Sequence, residues 1–284
     1  VKKIDQAKKF LTEQMSLFQC PVCKEPFEKL QEHSLICRNG HVFDLSKKGT
    51  LYFLKKASKN EYDKNMLSAR FAIAQAGLFD PLIEMVYKNI TRKEDGTVLD
   101  VGSGEGSHLD KLVHLGLKGN LVGFDISKDA IILAASHFTS AFWCVADLAQ
   151  SPFAANQFDT ILNIFSPSNY QEFERLLKED GQVIKVVPDA DYLIELRKLF
   201  YLDQQEKQRY SNEHVIQKFQ EHFSETTIVP IRYTFPLDSE LFDQLMLMTP
   251  LGWGATAEGK QYAMQHPLQS VTVHVQMLIG KKGS

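Results

Sequence analysis

Read from residue 97 onward, the chain alternates short apolar runs with longer amphipathic ones. Val98–Val101, Leu121–Phe124, Phe142–Val145, Thr160–Ile164 and Gln182–Val187 read as strands, with helices over 106–115, 128–137, 170–178 and 189–201. Strands alternating with helices at this spacing predict βαβ units and a parallel sheet covered on both faces. Thr226–Phe235 and Ser270–Ile279, rich in β-branched and aromatic residues, read as two closing strands. Ahead of this region the pattern is different. Ile4, Phe10, Leu11 and Met15 have helical spacing over 2–18, and Leu35-Ile36 and Val42-Phe43 read as short strands. Residues 55–65 are polar and predict a linker or loop, and 66–90 predict helix broken at Gly77 and restarted at Pro81.

The cysteines sharpen the front of the chain. Three of the four fall between Cys20 and Cys37, as Cys20-Pro21-Val22-Cys23, thirteen intervening residues, then Cys37-Arg38-Asn39-Gly40-His41. Two ligands separated by two or three residues form a chelating knuckle, and two knuckles close a tetrahedral structural zinc site. The predicted ligands are Cys20, Cys23, Cys37 and His41, with His33 an alternative for the fourth. All four come from protein, which leaves no open position for catalysis. A module this short buries too little apolar surface to fold unaided, and one metal ion supplies the difference. Cys144, far away in an apolar strand, reads as a small core residue.

The most informative stretch is Val98-Leu99-Asp100-Val101-Gly102-Ser103-Gly104-Glu105-Gly106-Ser107, an apolar strand running into a glycine-rich turn and then a helix. Glycines there accept positive φ and let a ligand approach the backbone. The spacing differs from the G-x-G-x-x-G of nicotinamide enzymes. Asp100 and Glu105 would repel a pyrophosphate, yet suit a ligand with a cationic methionine portion. The pattern resembles motif I of class I methyltransferases, which bind S-adenosylmethionine. Asp125, closing the second strand, is placed to accept hydrogen bonds from both ribose hydroxyls, and Asp147, after the third, lies where that fold contacts adenine.

Composition adds two points. Lys and Arg exceed Asp and Glu by 6 over residues 1–70, and the balance reverses to −9 over the rest. A basic front on an acidic body suits an anionic partner, or is a solvated face. No apolar run approaches the roughly 18 residues of a membrane span. The first residues have no apolar core followed by a cleavage site, so the expected compartment is the cytoplasm, where thiols stay reduced.

Over nearly all of residues 17–280 the chain resembles the bacterial 23S rRNA guanine-N1 methyltransferases. The resemblance rests on the knuckles followed by Gly40-His41-Val42-Phe43-Asp44-Leu45-Ser46-Lys47-Lys48-Gly49, on Met66-Leu67-Ser68-Ala69-Arg70-Phe71, and on Ala76-Gly77-Leu78-Phe79-Asp80-Pro81-Leu82. Ile164-Phe165-Ser166-Pro167 and Leu247-Met248-Thr249-Pro250 with Trp253 extend it. It implies an α/β, class I (Rossmann-like) methyltransferase fold with a small N-terminal zinc-ribbon-like module. The implied layout is an extension over 1–16, a zinc module for RNA recognition over 17–57, a linker and helices over 58–90, and the methyltransferase domain over 91–284. The substrate it implies is a hairpin loop of 23S ribosomal RNA. It further implies cofactor contacts from Phe79, Asp100, Gly102, Gly104, Glu105, Gly106, Asp125, Asp147 and Tyr192, with packing alone from Phe79, which lacks a hydroxyl. A general base is not identifiable from the sequence, and a homodimer stays open. The rival readings are a small-molecule methyltransferase whose zinc is purely structural, and a non-catalytic RNA-binding protein on the same fold.

Overall fold

A computed structural model describes residues 2–55, 63–202 and 210–283. Eight strands form one sheet in the order β10-β11-β9-β8-β5-β6-β7-β4. Five of them are the expected parallel set: β5 (Thr97–Val101), β6 (Asn120–Asp125), β7 (Phe142–Val145), β8 (Phe158–Ile164) and β9 (Leu177–Pro188). Every residue of β5, β7 and β8 is buried, as a sheet covered on both faces requires. β10 (Thr226–Pro236) and β11 (Ser270–Lys281) close the far edge as an antiparallel pair, with β11 also antiparallel to β9. The chain reverses its direction of winding between β5 and β8. Open α/β sheets bind ligands at the carboxyl ends of the strands flanking such a point.

The helices on the sheet are α2 (Lys64–Gln75), α3 (Asp80–Asn89), α4 (Ser107–His114), α5 (Lys128–His137), α6 (Tyr170–Leu176) and α7 (Ile194–Phe200). The expected helix over 189–201 starts late because Leu193 is left-handed, with φ of 53°, and this turns Tyr192 out ahead of the first helical residue. Three helices had no counterpart in the sequence pattern: α8 (Glu213–His222), α9 (Ser239–Met248) and α10 (Ala257–Gln265). α9 is legible afterwards. Asp238 caps it by accepting from the Leu241 N–H, and Phe242, Leu245 and Met248 make its buried stripe.

The front of the chain is built into this body. α1 (Lys3–Gln14) packs Phe10 flat on Phe142 of β7, with ring centroids 5.1 Å apart. β1 (Phe27–Gln31), β2 (Ser34–Cys37) and β3 (Val42–Asp44) form a separate antiparallel sheet, and β4 (Leu51–Tyr52) joins the large one beside β7. Phe18 stacks on Phe53 and packs against Phe142 and Phe153, while the Gln19 N–H donates to the Pro152 carbonyl at 2.8 Å. The module therefore borrows its core from the catalytic body, in addition to what a metal supplies. Cys144 is fully buried on β7, and burial holds its thiol well above the usual range. Among the described residues no helix is long and apolar enough to cross a membrane.

Candidate active site and metal centre

The metal centre sits between the two knuckles. Cys20 Sγ lies 3.6 Å from His41 Nδ1, Cys37 Sγ lies 3.4 Å from the same nitrogen, and Cys23 Sγ lies 3.7 Å from Cys37 Sγ. All four donor atoms fall within 4.8 Å of one another. A tetrahedral zinc with bonds of about 2.3 Å to sulfur places its ligands about 3.8 Å apart, so the donor set fits that ion. The His41 N–H also donates to Cys37 Sγ at 3.3 Å, which steadies the second knuckle around Gly40. His33, the alternative ligand, is not in the cluster; its carbonyl accepts from the Leu45 N–H instead.

The cofactor side is built on the turn after β5. Gly102, Gly104 and Gly106 all have positive φ. A Cβ on Gly102 would strike the Ser166 side chain at 2.6 Å, whereas one on Gly104 would find only an Arg70 nitrogen, 3.9 Å away. Gly104 thus borders open space, and its N–H donates to the Asp125 carboxylate at 2.9 Å. The other Asp125 oxygen accepts from the Ser127 N–H at 2.8 Å. A cavity of about 420 Å³ follows, lined by Gly102, Gly104, Asp125, Asp147 and the apolar Phe124 and Leu148.

Asp100 is wholly buried beneath the turn, with one carboxylate oxygen unpartnered. Burial, with Glu105 and Asp125 nearby, pushes its carboxyl up to about 7. Ser103 Oγ is likewise buried without a partner. Orphaned polar atoms beside a glycine-lined cradle fit a polar ligand such as S-adenosylmethionine. Glu105 is buried too, 4.0 Å from the Arg70 guanidinium. Gly106 also has a packing role. A Cβ there would meet Trp143 at 2.8 Å and Ala134 at 2.9 Å, so it lets α4 close onto α5, and it lines neither this cavity nor the next.

A second cavity, of about 750 Å³, adjoins the first and shares Arg70, Phe165, Ser166 and Pro167 with it. Phe79 and Tyr192 line this one, on either side of Phe165, at centroid distances of 5.7 Å and 5.4 Å. Sequence reasoning did not single out Phe165; its left-handed backbone, with φ of 54°, is what turns its ring between the other two. Arg70 and Lys185 were also missed. The signal for Lys185 was a lysine inside the apolar run Val183-Ile184-Lys185-Val186-Val187. It is buried, and its Nζ donates to Asn163 Oδ1 at 2.6 Å and to Ser168 Oγ at 2.7 Å. Asn163 Nδ2 in turn donates to Ser166 Oγ at 2.6 Å and to the Pro167 carbonyl at 2.9 Å. These bonds arch the strand end that separates the two cavities.

The charge picture changes with the fold. The residues after 70 carry an acidic excess, yet Lys185, Arg197 and Lys218 from that part line the second cavity together with Arg70 from the front. In the module, Arg38 is committed to Glu28 and Glu25, and Lys48 to Ser136 on α5. Lys56 lies outside the described residues.

A family model for a methyltransferase domain matches residues 92–234, and the zinc-ribbon model described as RlmA, N-terminal, matches 18–59. A candidate 23S rRNA (guanine-N(1)-)-methyltransferase of Bacillus subtilis (strain 168) is 41% identical over 280 residues, covering 95% of this chain and 99% of that one. The 23S rRNA (guanine(748)-N(1))-methyltransferase of Streptomyces fradiae is 28% identical over 242 residues, covering 83% of this chain and 85% of its own. Among solved structures, a phosphoethanolamine N-methyltransferase of Haemonchus contortus superposes over 80% of this chain and 59% of its own, with a TM-score of 0.53 at 14% identity, a likeness of fold alone. With its Cys3His cluster, its class I sheet and these relatives, the chain belongs to the S-adenosylmethionine-dependent 23S rRNA (guanine-N1)-methyltransferases that carry an N-terminal zinc ribbon.

Proposed function

We propose that this chain methylates N1 of a guanine in a hairpin loop of 23S ribosomal RNA, with the cofactor in the smaller cavity and the guanine in the larger. The observation that carries the division is the wall between them. Ser166 and Pro167 line both cavities, so a ligand in one meets a ligand in the other across that strand end. Bound there, S-adenosylmethionine would supply an electrophilic methyl group. Asp125 would hold the ribose hydroxyls, with its carboxylate pre-aligned by two backbone N–H groups. Asp147, Leu148 and Phe124 would flank adenine. Arg70 would face the methionine carboxylate, and the orphaned Asp100 oxygen would take a donor from the same portion.

Guanine N1 lies on the Watson–Crick edge, so the target base has to leave its pair or its stack. The larger cavity suits an extruded base. Phe79, Phe165 and Tyr192 supply ring faces, and Arg70, Arg197 and Lys218 supply charge for the backbone beside it. Alignment of acceptor and donor in such a site contributes about 7–11 kcal/mol of barrier lowering. The cations around the cavity favour RNA over a small neutral acceptor. The deciding experiment is tritium transfer from labelled cofactor to unmodified 23S RNA, followed by nucleoside analysis. Label recovered as 1-methylguanosine supports the reading; label only on added small amines or quinones replaces it with the small-molecule one.

A further inference from the structure

Among the described residues, no carboxylate lines the larger cavity. The described titratable side chains that line it are Arg70, Arg197, His214, Lys218, the phenols Tyr170, Tyr192, Tyr201 and Tyr210, and Lys185. A guanine that gains a methyl at N1 must lose the N1 proton, so one of these groups or water has to receive it. Arginine stays protonated at any working pH. Burial raises Tyr170, Tyr192, Tyr201 and Tyr210, which keeps them protonated as well. His214 and Lys218 are exposed at the rim, on α8.

Lys185 differs from all of these. It is buried on the cavity floor, and no carboxylate among the described residues pairs with it. Its strand neighbours across β8 and β11 are Asn163 and Leu278, neither of them titratable. Two of the three hydrogen-bonding directions of Nζ are used, as donors to Asn163 and Ser168. A neutral amine satisfies both bonds and keeps its lone pair for the cavity.

We propose that the Lys185 amine, held by Asn163 and Ser168 at the floor of the acceptor cavity, is the general base that takes the proton from guanine N1. Lys185 Nζ binds the proton and becomes an ammonium. The electron pair of the N1–H bond stays on N1 and forms the bond to the methyl carbon, while sulfur keeps the pair of the broken C–S bond. The positive charge moves from sulfur to Lys185, so the net charge of the site is the same before and after the transfer. Burial favours this assignment by lowering the Lys185 ammonium to about 8. A base poised near the working pH is the efficient choice for proton transfer.

The inference rests on the guanine-N1 reading. If the parent enzyme labels no guanine, that reading fails; if it does and the Lys185 variants behave otherwise than below, only this inference fails. In protein labelled with 13C at lysine Cε, without RNA or cofactor, one resonance should titrate near pH 8 and be missing in Lys185→Arg. Lys185→Ala should lower kcat by about 10²–10⁴-fold while cofactor affinity stays at the parent value. Ethylamine should restore the rate of that variant in proportion to its free-base concentration. Lys185→Arg keeps the charge but cannot accept a proton, and should be as slow as Lys185→Ala. A lysine that titrates with the others, an arginine variant at the parent rate, or no response to ethylamine each overturns the proposal. If Lys185→Ala does not fold, the titration of the parent and the rate of Lys185→Arg still decide.

Discussion

The backbone N–H of Gly104 donates to the Asp125 carboxylate at 2.9 Å, tying the glycine turn after β5 to the end of β6. Two motif residues that stand 21 positions apart thereby become one surface. The bond holds the cradle in shape before any ligand arrives, with Asp125 lining the smaller cavity.

Gly104→Val should abolish cofactor binding while the fold survives. Gly104 has φ of +56°, which a β-branched residue adopts only with strain, and its missing side chain points toward open space near Arg70. Calorimetry should show affinity lowered by about 100-fold or more, equivalent to about 2.8 kcal/mol, with an unchanged circular dichroism spectrum. Parent-like affinity would move the cofactor elsewhere.

Asp125→Asn keeps the shape of the side chain but turns one oxygen into a donor. That group would face the N–H of Gly104 or of Ser127, so one of the two bonds is lost. A further acceptor for the ribose is lost with it. Affinity should fall by about 10–100-fold, or about 1.4–2.8 kcal/mol. A loss below twofold would show that the ribose is held by other groups.

Asp100 should make the ligand-free protein less stable as pH rises. Burial, Glu105 and Asp125 raise its carboxyl to about 7. Between the unfolded value near 4 and 7, the native state holds a proton that the unfolded state has released. Its contribution to stability is therefore full below pH 4 and declines until pH 7. Asp100→Asn should flatten that slope relative to the parent and raise the Tm at pH 8, while weakening cofactor binding. Thermal melts across pH check this; parallel parent and variant curves would remove Asp100 as the source.

Metal removal should destabilise the whole chain. Protein purified without added zinc should hold about one ion per chain. Because Phe18, Phe53, Phe142 and Phe153 form one aromatic cluster across the module and the body, losing the metal should shift a single melting transition downward. Cys37→Ser or a strong chelator should lower the Tm by several degrees. A separate early transition, with the main one unmoved, would show that the module unfolds alone.

RNA binding should depend on salt from both halves. Each phosphate contacted on single-stranded RNA contributes a slope of about −0.7 in log K against log salt. Lys218→Gln, at the cavity rim, should flatten the slope and weaken RNA binding without changing cofactor affinity. Lys47→Gln with Lys55→Gln tests the module, where Arg38 is already committed to Glu28 and Glu25. If the module pair alone changes the slope, the grip lies in the zinc ribbon and the rim lysine is a solvated charge.

What the sequence by itself determined is local chemistry. Cys20, Cys23, Cys37 and His41 were legible as a metal site because each knuckle closes over three or four residues, so spacing is geometry. The strand–glycine turn–helix pattern and the acids at the ends of β6 and β7 were legible because every βα unit repeats the same local logic. The tertiary structure decided whatever depends on which distant elements meet. Lys185, Asn163 and Ser168 come together only where β8 pairs with β9, and a lysine among valines has no sequence period to announce it. Arg197 and Lys218 stand on different helices and meet Arg70 only in the fold, so counting charge along the chain placed the basic surface at the front and missed the one around the cavity. Gly106 reads in sequence like its two neighbours, yet it packs against Trp143 because α5 and β7 bring that ring over it. Spacing along the chain reports contacts within one turn of chain; burial and charge at a cavity are set by strand order and helix packing, and those are fixed only when the sheet closes.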